Sequence, residues 1–207
     1  MATTQDFVQF DQIRNGFIIL KNKGIRAILM VSSLNFVLKS TEEQNAILFQ
    51  FQNFLNSLDF SCQILILSRR LNITGYLDKL QEIEKKEENE LLQMQIGEYR
   101  KFIDQIMKGG SVMQKTFYIV VPFSISEIQS AKTGKKRGAV RLTEKMFQRA
   151  KNQLLQRIEF VILGLRSCSL EAAPLNSVEV SELLWSLYHP SEAERGYYPE
   201  MPSELLN

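Results

Sequence analysis

Ile25-Arg26-Ala27-Ile28-Leu29-Met30-Val31, then Lys39-Ser40-Thr41-Glu42-Glu43, then Cys62-Gln63-Ile64-Leu65-Ile66-Leu67 closed by Ser68-Arg69-Arg70, decide the fold. The first run is rich in strand formers. Ser40 followed three residues later by Glu43 forms a capping box, after which Ile47, Phe51, Phe54, Leu55 and Leu58 recur at helical spacing. The run from Cys62 to Leu67 has no helical period and reads as a central strand, buried on both faces. A strand-helix-strand unit results, with almost no candidate catalytic side chain inside it.

Working outward, Phe17 to Leu20 and Ile25 to Val31 flank Lys21-Asn22-Lys23-Gly24, whose Asn and Gly suit a tight reversal, so a β-hairpin is expected. From Ile73 to Lys108 no proline occurs, and Leu77, Leu80, Ile83, Leu91, Met94, Tyr99, Phe102, Ile103 and Ile106 keep roughly helical spacing. One long helix is expected there, or two joined near Glu84 to Glu90, projecting as an arm. The mixed-sign charge run from Glu84 to Glu90 reads first as a solvated helix face and only second as a docking site. Gly109-Gly110-Ser111 stops the helix, and Phe117 to Val121 forms a buried strand ended by Pro122.

Thr143 with Glu144 opens a further helix, whose stripe is Met146, Phe147, Ala150, Leu154, Leu155, Ile158 and Ile162, up to Gly164. Cys168 to Leu175 reads as a short edge strand. Asn176 with Glu179 caps a last helix through Tyr188, which His189-Pro190 ends. Residues 191–207 read as an extended tail or linker.

At 207 residues and 44% hydrophobic, the chain is long enough for one well-buried core. Twenty-five basic against 23 acidic residues leave a formal charge of +2, which argues against a general nucleic-acid binder. The two cysteines, Cys62 and Cys168, read as reduced, buried thiols, and nothing at metal-ligand spacing accompanies them. The first residues lack a basic segment followed by an apolar core, so no secretory signal is expected. No apolar run approaches the ~20 residues that span a bilayer.

A phosphate-binding loop needs Gly-x4-Gly-Lys and then Ser or Thr. The nearest approach, Gly134-Lys135, puts Gln129 where the first glycine belongs and Lys136 where the hydroxyl belongs. Nucleotide hydrolysis by this chain is therefore not expected. His189, the one histidine, precedes a proline at a helix end and reads as a cap or surface residue rather than a base. The expectation is no catalytic residue, no cofactor and no metal. Phe10, Phe17, Phe36, Phe49, Phe51, Phe54 and Phe60 read as core packing rather than a base-stacking platform.

The stretch from Ser124 to Ala139 is the best loop candidate. Around it, Lys132, Lys135, Lys136, Arg137 and Arg141 form a basic cluster without an acid. It suits phosphates, anionic lipid head groups or an acidic protein face, or it is simply a solvated loop.

Three blocks carry a family resemblance. They are Ile25 to Leu29; Asn35-Phe36, Leu38-Lys39-Ser40 and Glu42 to Ala46; and Gln52 to Phe60 with Gln63 to Ile66 and Ser68-Arg69. They resemble the TraC-like amino-terminal domain of conjugative type IV secretion ATPases. The similarity continues through Glu88 to Leu92, Phe117 to Pro122 and Glu182 to Pro190, and covers most of residues 13–190. The resemblance implies an α+β module that seats the ATPase on an inner-membrane channel, with the nucleotide site on a separate motor. The chain stops about where that motor would begin.

The expectation is an N-terminal extension over residues 1–12, one α+β domain over 13–190 with a mixed sheet of about five strands, and a tail over 191–207. Its expected role is non-catalytic assembly or docking in a DNA-transfer or secretion apparatus. Inner-membrane channel subunits or a motor ATPase are its expected partners, met at the cytoplasmic membrane face. The rival is a nucleic-acid-binding module using the loop 132–141.

Overall fold

The computed structural model describes residues 9–71, 73–109, 112–124 and 143–194. The strands are β1 (Phe10–Arg14), β2 (Phe17–Leu20), β3 (Ile25–Val31), β4 (Gln63–Arg70), β5 (Met113–Phe123) and β6 (Ala172–Pro174). The helices are α1 (Thr41–Ser57), α2 (Thr74–Lys86), α3 (Glu90–Gly109), α4 (Glu144–Ser167), α5 (Ser177–Tyr188) and α6 (Pro190–Glu194). The fold class is α+β, as the sequence predicts.

The strands form a 6-stranded sheet in the order β1-β2-β3-β5-β4, with β6 also paired to β3. β1 with β2, β2 with β3, β3 with β5 and β3 with β6 are all antiparallel. The expected mixed sheet of about five strands is corrected on this point. β3, α1 and β4 do form a strand-helix-strand unit, but β5 inserts between the two strands. β3 and β4 are thus split neighbours rather than a directly bonded parallel pair.

The chain divides into two compact units. The first takes the residues up to Ile66 and Thr116–Leu183, and the second takes Leu67–Lys115 and the residues from Leu184 on.

In the first unit, Asn15 (φ 53°) and Gly16 (φ 78°) make a two-residue turn between Arg14 and Phe17, which face each other in register. Positive φ at both turn residues matches the right-handed strand twist, and Asn-Gly is the pair best able to adopt it. Gly16 is also required by space, since a Cβ there would stand 2.7 Å from the Leu175 carbonyl oxygen. Its N–H donates to Ser177 Oγ at 2.9 Å. The next reversal has its positive φ at Lys23 (64°), while Asn22 Oδ1 accepts from the Gly24 N–H.

α1 begins with the expected capping box: Ser40 Oγ accepts from the Glu43 N–H, and the Glu43 carboxylate accepts from the Ser40 N–H. One face of α1 and one face of α4 cover the sheet. Phe54 joins Phe147, Ala150, Leu154, Ile158, Val161 and Leu165 over Ile19, Ile25, Ala27, Leu29, Ile119, Val121 and Phe123. Gly164 does not end α4, which runs on to Ser167. It makes room: a Cβ at 164 would collide with Phe54 Cδ2 and lie 2.7 Å from Cε2.

β5 likewise passes its expected end. Pro122 pairs opposite Arg26, and its carbonyl accepts from Arg157 Nη1 at 2.7 Å. Proline removes a donor but leaves the acceptor.

In the second unit, the helical segment is two helices, broken at residues 87–89. Asn89 Oδ1 accepts from the Leu91 N–H at 3.0 Å and starts α3. α2 and α3 pack against each other. α5 ends at Tyr188 as expected, but Pro190 then starts the short α6 rather than an extended tail. Proline is favoured at a first helical position, where no N–H is needed.

Gly164→Ala should destabilise the protein even though alanine normally gains ~1 kcal/mol over glycine in a helix, because overpacking costs ~1–3 kcal/mol. In a Phe54→Ala background the same change should become neutral or stabilising. Urea unfolding of the four variants of this cycle measures it. A second prediction concerns Glu144, whose carboxyl is held below the ordinary carboxylate range by the hydrogen bond from Arg14, helped by Gln148. The stability it contributes is full above that ordinary range and disappears as pH falls through the depressed folded value. Glu144→Gln should therefore lower the melting temperature at neutral pH and converge with the parent chain in acid.

Candidate docking surface

β4 was expected at the centre of the sheet and stands at its edge. Its burial alternates between half-buried and exposed along its length, instead of being complete. The reason lies in topology: β5 takes one side of β4, and no described strand takes the other. Ile64 and Ile66 remain 54% and 56% exposed.

Next to this edge lies an open, apolar cavity of about 310 Å³. Val31 and Phe117 from paired strand ends, Phe51 from α1, Leu165 and Leu170 at the close of α4, and Ile64 from β4 line it. Cys62, immediately before β4, packs half-buried against the same core.

α1 extends the apolar surface. Leu48, Phe51 and Leu55 stand three and four residues apart and so share one face of the helix. Phe51 reaches the cavity, while Leu48 and Leu55 are exposed. Leu55 was expected in the buried stripe. That stripe is narrower, and Phe54 is its one fully buried member. Phe49, expected in the core, is 61% exposed, as is most of the side chain of Val37 in the short 3-10 turn Phe36–Leu38.

The chemistry of this surface is recognition rather than bond making. Apart from the Tyr118 phenol, no side chain in the cavity lining is an acid, a base or a nucleophilic thiol. Ser32 is occupied, since its Oγ accepts from the Glu171 N–H at 2.9 Å. Burial pushes the Cys62 thiol above its ordinary value, the opposite of what an activated thiolate requires.

A second hollow, about 420 Å³, contains Asp59, Gln153, Gln156 and Arg157. Its guanidinium is structural: it stacks over Phe60 at 4.8 Å and Phe123 at 5.1 Å while donating to Pro122. His189 is likewise engaged, its ring stacked on Trp185 at 4.9 Å with Nδ1 3.2 Å from the Trp185 carbonyl oxygen.

Among the described residues, no group of three or more His, Cys, Asp or Glu is placed to hold a metal ion. No described helix is long and apolar enough to cross a membrane. Both cysteines are free thiols, Cys168 buried and Cys62 partly so. The basic cluster Lys132, Lys135, Lys136, Arg137 and Arg141 lies outside the described residues.

The sequence reading missed Ile64, Ile66, Leu48 and Phe49 as surface residues. One signal pointed to an edge: β4 runs through Ser68, Arg69 and Arg70, and charge at a strand end is a common guard against edge-to-edge pairing.

A protein-family model described as an archaeal TraC-like domain matches residues 12–190. No curated protein matches the chain.

The edge position predicts unequal sensitivity within the sheet. Ile66→Thr, which keeps a β-branched side chain, should change stability by no more than ~0.5 kcal/mol as a surface substitution. Ile119→Ala, in the buried centre, should cost ~2–5 kcal/mol. Chemical denaturation of the two variants tests the assignment, and equal losses would contradict it.

Proposed function

The chain belongs to the archaeal TraC-like domain family, and from that premise we propose that it is a non-catalytic docking domain of a conjugative DNA-transfer or type IV secretion apparatus. It acts through protein-protein contacts at the cytoplasmic face of the membrane. Its partners in this reading are inner-membrane channel subunits or a motor ATPase that carries the nucleotide site.

The observation that carries the proposal is the apolar cavity beside the β4 edge, continued by Ile64 and Ile66 on one side and by Leu48 and Leu55 on the other. Exposed apolar area of this kind is unfavourable to leave in water, at about 25 cal/mol per Å², and is regained when a partner covers it. The unpaired strand edge adds a row of backbone donors and acceptors able to fix the partner's register. An interface so built needs no ionisable group.

Binding of the purified chain to purified channel subunits and to the motor ATPase of the same system, measured by calorimetry, tests this. Ile64→Lys with Ile66→Lys should weaken the interaction by about tenfold or more, since each 1.4 kcal/mol is a factor of ten. Absence of binding to all of these partners, or binding that ignores the two substitutions, would sink the proposal. Nucleotide hydrolysis by the purified chain, lost on a point substitution within it, would do the same.

A further inference from the structure

The hairpin of α2 and α3 has one apolar and one charged open face, and it lies entirely within the second unit. Its orientation is fixed by contacts across the two helices. Tyr76 and Tyr99 share a hydrogen bond between their hydroxyls at 3.4 Å, Gln93 Nε2 donates to the Glu84 carbonyl oxygen, and Arg100 Nε lies 3.2 Å from Glu84 Oε2. On the face marked by the tyrosine pair, Ile83 stands seven residues after Tyr76. Leu92 and Ile106 stand seven residues either side of Tyr99. All five are exposed. Seven-residue spacing returns a side chain to nearly the same face of a helix, so these residues form two parallel apolar ridges. The opposite face carries Asp78 and Lys85 on α2 and Lys101 on α3, as expected for solvent.

The two outer flanks of the apolar face differ in charge. Lys79 and Lys86 lie on the outer side of α2, and Glu98 lies on the outer side of α3, all three exposed. Neither Lys79 nor Glu98 has an ion-pair partner among the described residues. Lys79 also stands at the same height along the hairpin as Glu98, because the two helices run antiparallel through the Tyr76–Tyr99 and Glu84–Gln93 contacts.

We propose that this face is covered by the same face of a second copy of the chain, giving a two-fold symmetric four-helix bundle. The charges choose the arrangement. Rotation about an axis parallel to the helices lays α2 over α3 of the other copy and sets Lys79 beside its Glu98, twice by symmetry. Rotation about an axis across the helices would instead lay α2 on α2, facing lysines with lysines. The apolar ridges supply the attraction, and the flanking pairs, individually weak, select the register. This surface is separate from the cavity beside β4, and the inference does not rest on the docking role.

The test is the mass of the purified 207-residue chain in solution across the micromolar range, by sedimentation equilibrium, with helicity checked by circular dichroism. The parent chain should be a dimer. Leu92→Glu, a substitution at an exposed position that leaves helicity intact, should weaken the dimer by about tenfold or more. Lys79→Glu and Glu98→Lys should each weaken it, and the double exchange should restore it. A parent chain that stays monomeric overturns the proposal and leaves the face to a helix of another protein. So does a dimer indifferent to Leu92→Glu, or a double exchange no better than either single change.

Discussion

The ladder between β3 and β5, unbroken in register from Ile25 opposite Phe123 to Val31 opposite Phe117, is the constraint on which the first unit depends. It closes a loop of roughly 90 residues, whose entropic cost grows only with the logarithm of its length. The cost is recovered because nearly every residue of the pair on the helix side is buried: Ile25, Ala27, Leu29 and Val31 on β3, and Ile119, Val121 and Phe123 on β5. Around this pair the other strands are placed by what remains of β3. β2 takes the edge beside Ile25 to Ala27, and β6 takes the same edge beside Leu29 to Val31.

The helices follow from the sheet. α4 lies over β3 and carries the larger share of the core, while α1 packs on α4 through the place where Gly164 admits the Phe54 ring. That contact sets how closely the two helices approach. Because one narrow stripe of α1 is used for the core, its remaining apolar residues are left on the surface beside β4. The exposed cavity is thus a consequence of sheet order together with a helix pair that stops short of the edge strand.

Much of this was legible in the sequence, for reasons specific to each element. The Ser40–Glu43 capping box is local chemistry, and the spacing of Phe147, Ala150, Leu154 and Ile158 is a pattern only a helix satisfies. β1 went unread because Phe10 to Arg14 is short and its register shifts at Asp11, although Asn15-Gly16 is a strong hairpin signal. The edge position of β4 was not legible in its apolar residues, since a continuous run shows that a strand forms but not how many neighbours it has. Sheet order depends on where a strand some fifty residues later inserts, which no local pattern records. Gly164 read as a helix stop because glycine is a weak helix former, whereas here its missing side chain is needed for packing.

Placing apolar residues in water on purpose carries a hazard, since a free hydrophobic strand edge can pair with any other. β4 limits it by ending in Ser68, Arg69 and Arg70, so that only part of the edge is apolar. The α2–α3 hairpin limits it differently, by confining its apolar residues to one face and charging the other. In both places the polar groups restrict what can bind without contributing a reactive centre. A partner must match an apolar surface and the charges at its border together, and that double requirement is what separates a specific docking surface from a merely sticky one.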